Sequence, residues 1–208
     1  MKPATKRGFV TNQERTAETK QALIDATLEI MWKEGAARTT LSKITRHAGT
    51  SGALAFYHFH DRNTLMTAAM RYHFDTLIDA ISHGLQKVSK EKSTSENIEI
   101  ILGALWDIFS SKLFAISIEN IVEARTNIKL KEDLKDDVVE YHQKFEKLWH
   151  KTITSAGITG IESPDTLNFI VCTIRGLAVQ RTLKKNQQYY ESIISELKKY
   201  LMARSSQR

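Results

Sequence analysis

The residues whose types could do chemistry are few, and their spacing argues against catalysis. His58 and His60 stand two apart, which points them to different sides of a helix and does not suit a metal site. His142 and His150 are eight apart, close to one helical face, but no third ligand accompanies them. The single Cys172 lies among Phe169, Ile170, Val171 and Ile174, so it reads as a small core hydrophobe rather than a nucleophile. A Gly-rich phosphate loop, a His-Glu-x-x-His signature and a Cys pair are all missing. The expectation is a chain with no metal site, no cofactor and no enzymatic activity.

Recognition is the chemistry left. Through Arg62 the chain has ten Lys/Arg against six Asp/Glu, so +4 of the formal +6 sits in the first third, where a polyanion would be held. The same third contains TTLSKITRHAGTSGALAFYHFHDRNTL, from Thr39 to Leu65. Two short helices, 41–48 and 52–58, separated by Gly49-Thr50-Ser51, describe a helix-turn-helix whose second helix is shaped for a major groove. Ala55 and Phe59, four apart, share the inward face and leave Leu54, Phe56, Tyr57 and His58 outward. Lys and Arg are absent between residues 47 and 61, which favours thymine-methyl contact and shape readout over guanine reading. The candidate DNA contacts are Thr40, Ser42, Lys43, Thr50, Ser51, Gly52, Ala53, Leu54, Phe56, Tyr57, His58 and Arg62. A basic arm over 1–11, with Lys2, Lys6 and Arg7, adds backbone or minor-groove contacts.

The elements that must position these residues are helical throughout. Nine Gly and two Pro in 208 residues are too few turn formers for a sheet protein. Apolar periodicity gives a helix over 12–34, stopped by Gly35, and a fourth helix from the Asp61 cap to about residue 88. The polar stretch 89–97 reads as a linker, and Ser93 with Glu96 forms a capping box for a helix to about residue 112. Helices over 114–125, 129–155, 164–184 and 188–202 complete an all-α chain, the 164–184 helix opening on Ser163-Pro164. The expected division is a helix-turn-helix domain over 12–62, a three-helix bundle, followed by a helical domain over 63–208. No apolar run reaches the ~20 residues of a membrane span, and the first residues lack a signal peptide's apolar stretch, so a cytoplasmic location is expected.

The run Ala48-Gly49-Thr50-Ser51, then Phe56-Tyr57-His58-Phe59 and Asp61-Arg62-Asn63 with Leu65, closely resembles the TetR family of transcriptional regulators over residues 20–72. The tract from His58 to Arg71 looks most like the betaine-synthesis repressor branch. The chain departs from the family pattern at Ala53, where Gly is common, at Phe56, where Tyr is common, and at Gly52, where Lys or Arg is common. Arg175-Gly176-Leu177-Ala178 resembles the family's penultimate helix, which helps form the dimer. The resemblance implies a homodimeric, ligand-responsive repressor that binds a palindromic operator in double-stranded DNA and leaves it when a small molecule binds the helical domain.

The dimer surface is then expected from Val171, Ile174, Arg175, Leu177, Ala178, Ile194, Leu197 and Leu201. The ligand site is expected from Trp106, Phe109, Phe114, Glu119, Glu123, Phe145, Trp149, Phe169 and Thr173, with Asn120 and His142 as further polar companions. If the betaine-branch likeness extends to the ligand, a choline-like cation would sit against an aromatic wall, Glu119 supplying the carboxylate near Trp106 or Trp149. The charge-poor second helix leaves one rival: a protein-interaction adaptor built on a degenerate helix-turn-helix.

Overall fold

The structure, a computed structural model, describes residues 11–206, so Lys2, Lys6 and Arg7 of the expected arm lie outside the described residues. Those residues form ten α-helices and no strand. They are α1 (Asn12–Glu34), α2 (Leu41–His47), α3 (Gly52–Phe59), α4 (Arg62–Gly84), α5 (Thr94–Phe109), α6 (Lys112–Thr126), α7 (Ile128–Asp133), α8 (Lys135–Ser155), α9 (Pro164–Arg181) and α10 (Gln187–Ser205). No single helix among them is long and apolar enough to cross a membrane.

Side-chain caps set most of the starts, because the first N–H groups of a helix have no partner within it. Thr11 with Glu14 and Ser93 with Glu96 form reciprocal capping boxes at α1 and α5. Thr40, Ser51, Asp61, Ser163 and Asn186 cap α2, α3, α4, α9 and α10. Gly35 ends α1 at φ 86, ψ 158, an extended positive-φ conformation rather than the left-handed helical cap expected, and equally one that suits glycine.

Two elements differ from expectation. The single helix expected over 129–155 is broken at Leu134 into α7 and α8. Leu130 and Leu134 are both buried against α1, α4 and α6, and the Asn127 side chain accepts from the Leu130 N–H to start α7. The bend lets α7 pack beside the head while α8 follows the body. The stretch 89–97 is no free linker: Asn97 is fully buried, and its side-chain amide bonds both the N–H and the C=O of Ser89.

Three apolar clusters stack along the molecule. The head is built on Leu23, Ala26, Ile30, Ile44, Ala55, Phe59 and Leu65, with Ala68 packed on it, so its core continues into α4 past residue 62. A seam follows, holding Met31, Met66, Met70, Ala36, Ile116, Leu130 and Leu134. The body, spanning parts of α4 to α10, has the largest core, centred on Leu77, Ile81, Leu105, Trp149, Ile170 and Ile174.

Candidate nucleic-acid interface

In the head, α1 and the start of α4 brace two short helices. Ile44 of α2 and Ala55 of α3 are completely buried, and Phe59 nearly so, which fixes α3 through one narrow face. Gly49 takes φ 66 in the turn between them, where a side chain would be strained. The opposite side of α3 is open: Phe56 is 59% and Tyr57 73% exposed, with Gly52, Ala53 and Leu54 exposed beside them and His58 half-buried. Phe56 meets His60 edge-on at 6.0 Å and Tyr57 meets His58 at 5.1 Å, so the exposed rings stand in two pairs. An exposed helical face is the kind of element a major groove admits.

The junction after α3 is tight. His60 has φ 56 and ψ -47, and the Asp61 N–H donates to the Phe59 carbonyl at 2.5 Å, closing a positive-φ γ-turn. That strained turn fixes the angle between α3 and α4. Asp61 then accepts from the Thr64 N–H at 2.7 Å and pairs with Lys129 at 3.1 Å. The Thr64 bond above all, together with Lys129, holds its carboxyl down to about 2 despite opposing desolvation.

The expected DNA contacts separate into two groups. Ser42, Ser51, Gly52, Ala53, Leu54, Phe56 and Tyr57 are exposed on α2, α3 or the turn, and Thr40 stands exposed at the start of α2. Lys43 is turned back, its ammonium 2.5 Å from Glu34. Arg62 is committed within the protein: Nε donates to the Thr39 carbonyl at 2.6 Å, one terminal nitrogen to Ala36 O at 2.7 Å, and the other to Glu123 at 2.9 Å. Three of its five N–H donors are thus engaged within the protein, which ties Arg62 to the head and to α6. Arg46 and His47, exposed at the end of α2, were not among the expected contacts, although Arg46 is the last cation before the stretch that lacks them.

Arg62 is one of several polar ties from the head to α6 and α7. Glu119 accepts from the Ala36 N–H at 3.0 Å. Asn127 donates to Asn63 at 3.0 Å, and Glu29 pairs with Lys112. Lys112 first, then Lys33, lowers the Glu29 pKa to about 2. Glu119 and Glu123 therefore hold the head and are not carboxylates of a ligand cage near Trp106 or Trp149.

The other expected ligand residues scatter. Trp149 and Phe145 are core, with the Trp149 indole N–H donating to Ile161 O at 3.0 Å. Trp106 lies beside Tyr190 on the α5–α10 groove, and Phe169 is half-exposed on α9 against Tyr200. The Thr173 hydroxyl is used by the Phe169 carbonyl. Phe109 is buried under the Arg175 guanidinium. Only Phe114 of that set lines an apolar cavity of about 420 Å³ where α4, α6, α8 and α9 meet. Asn120 and His142 line it too, together with Phe74, Tyr141 and Arg175. No Asp or Glu lines it, so a cage for a choline-like cation is not what these walls form.

The expected dimer residues also need correcting. Val171, Ile174, Leu177, Leu197 and Leu201 are buried within the protomer, while Arg175, Ala178 and Ile194 are partly buried. Cys172, expected in the core, is exposed. The apolar and small residues left open by α9 and the turn after it are Phe169, Cys172, Gly176, Val179 and Leu183, spaced alternately three and four apart. Helical spacing assigned the inward stripe correctly as apolar but could not say which of two apolar stripes faces the protomer's own core.

This architecture, a braced helix-turn-helix on a larger helical body, defines a DNA-binding regulator of transcription. Residues 23–69 match the family model for "Bacterial regulatory proteins, tetR family". The chain is 25% identical over 183 residues to the HTH-type transcriptional regulator CymR of Pseudomonas putida, a match covering 88% of this chain and 89% of that one. It is 36% identical over 84 residues to the regulator BetI of Serratia proteamaculans, which covers 40% of this chain and 42% of that one. A TetR transcription regulator from Haloarcula marismortui shares the fold with a TM-score of 0.67 at 15% identity, over 90% of this chain and 98% of that one. Residues 23–69 thus carry the domain described by the TetR-family model, and over nearly its whole length the chain is similar to a DNA-binding transcriptional regulator.

Proposed function

We propose that the protein is a homodimeric repressor that grips a palindromic operator through α3 and is released by a small molecule entering its body. The observation that carries the DNA half is the open face of α3. Leu54, Phe56 and Tyr57 are exposed together, at a water cost that a folded monomer has no reason to bear unless the surface meets a partner. With no cation between residues 47 and 61, α3 reads methyl groups and groove shape, and affinity comes from elsewhere in the basic first third. Thr40, Ser42, Thr50, Ser51, Gly52, Ala53 and His58 complete the reading surface.

Dimerisation uses the open stripe Phe169, Cys172, Gly176, Val179 and Leu183, with Tyr200 of α10 alongside. Alternating three- and four-residue spacing keeps one seam facing a partner helix, and Gly176 permits close approach. Two copies related by a two-fold axis would set their α3 helices on successive major grooves.

Release works through α6. One side of this helix, with Phe114, Ile118 and Ile121, walls the cavity. Glu119 and Glu123 on another side hold Ala36 and Arg62 of the head. A ligand that shifts α6 therefore acts on the head directly, and α4, which runs from the head core into the body core, carries the same motion.

The test is selection of random DNA by the purified chain, with sequencing of the bound fraction. Enrichment of an inverted repeat, with binding that weakens steeply as salt rises, is the expected result. Unenriched DNA at low salt would refute the reading.

A further inference from the structure

The cavity between α4, α6, α8 and α9 has one guanidinium in its wall and no carboxylate among its lining residues. Arg175 bonds the Tyr141 hydroxyl at 3.2 Å, and its guanidinium carbon lies 4.7 Å from the Phe109 ring centre and 5.8 Å from that of Phe114. Its Nε is buried without an acceptor. Among the described residues it forms no ion pair, although ten pairs form elsewhere. A buried guanidinium donor that lacks an acceptor costs free energy, and aromatic faces compensate only part of the charge. The remaining walls are mainly apolar, and His142 at the rim is held below its ordinary pKa, first by desolvation and then by the Arg175 charge. The field of Arg175 thus already acts on groups around the cavity.

We infer that the cavity takes an apolar organic monoanion of the carboxylate class, with Arg175 receiving the carboxylate and Phe74, Phe114 and Tyr141 packing its hydrocarbon body. This rests on the ligand-responsive reading above and adds the sign and shape of the ligand. A planar guanidinium offers two parallel N–H bonds to a carboxylate, which an ammonium cannot match. A cavity of about 420 Å³ has the size of a small-molecule pocket. Asn120, nearly buried with its Oδ1 unpartnered, offers an acceptor for a hydroxyl elsewhere on the ligand. Gly176 and Val179 belong both to this cavity and to the open α9 stripe, so a second copy would help roof the site.

The experiment is a calorimetric titration of the full chain, free of DNA, with phenylbutanoate, naphthoate and octanoate. Each acid is compared with the amide and the primary amine of the same skeleton. At least one acid is expected to bind, its amide about 10- to 100-fold more weakly, in keeping with loss of a charge-assisted hydrogen-bond pair. Arg175→Met should erase the preference for acid over amide, and Arg175→Lys should restore part of it. Amides or amines binding as tightly as the acids, or no acid binding at millimolar concentration, overturns the inference. The acid-to-amide comparison in the unaltered chain stands even if Arg175→Met fails to fold. DNA selection separates the two readings: acid binding without operator enrichment removes the repressor, and operator enrichment without acid binding removes only the ligand assignment.

Discussion

The head and the body solve opposite problems with the same helices. The head has a small core in which Ile44, Ala55 and Leu65 are fully buried, and polar side chains cap α2 and α3 and tie the head to α6. The body has the larger core yet keeps a cavity and several buried polar atoms without partners, among them Arg175 Nε, His73 Nδ1 and Asn120 Oδ1. A surface that reads a rigid duplex must hold its shape before contact, whereas a site that responds to a ligand needs free energy left to be gained on binding. Between them the seam carries Met31, Met66 and Met70, unbranched side chains that repack at small cost when two bodies shift.

The contrast can be broken most severely at α3. Leu54→Glu puts a carboxylate on the reading face without touching the head core, and specific operator binding should fall by about 1,000-fold, since both heads of a dimer lose a contact and gain repulsion. A mobility-shift titration with an unchanged thermal melt would show this; a loss under tenfold would mean that α3 does not face the bases. Next comes His73, buried in α4 with Nε2 2.9 Å from Ser117 Oγ, whose pKa burial lowers to about 4. The unfolded imidazole protonates near 6.5, so its stability contribution is complete above that pH and is lost as pH falls toward 4. The loss amounts to about 3 kcal/mol. Urea melts across this range should show that extra loss in the parent and not in His73→Gln.

Arg62→Met should cost about 2 kcal/mol, because Glu123 and the Ala36 and Thr39 carbonyls lose a shared donor. It should also loosen the head selectively, with amide exchange rising in α2 and α3 while α9 stays protected. Equal loosening of both regions would show that the tie is not directional. The smallest effect is expected at Asp61→Ala, about 1 kcal/mol for a lost helix cap, read from the denaturation midpoint.

The head was legible because its determinants are local. Thr40, Ser51 and Asp61 announce helix starts by type, Gly49 marks a positive φ, and Ala55 with Phe59 states an inward face. In the body the deciding facts are long-range. Val171, Ile174 and Leu177 on one stripe and Phe169, Cys172 and Val179 on the other are all small or apolar, so spacing alone does not rank them, and only packing against α5 and α8 separates buried from open. Glu119 and Glu123 looked like ligand carboxylates because their partners in the head are more than sixty residues away. Arg175 did leave a signal: it sits in an apolar helix with Val171, Cys172, Ala178 and Val179 at the neighbouring helical positions, so no acid on its own helix can pair with it.

The Arg62 bridge bears on how such a protein can be rearranged. Its guanidinium grows from the helix that follows the reading unit, yet the carboxylate that neutralises it belongs to α6. A head transplanted onto a foreign body would arrive with this cation unless the recipient also supplied an acid in the place of Glu123 and an acceptor for the Ala36 N–H in the place of Glu119. The reading unit is therefore not a freely exchangeable cassette. Its inheritance is tied to two residues of α6, and a change at position 62 is expected to travel with a change at position 123.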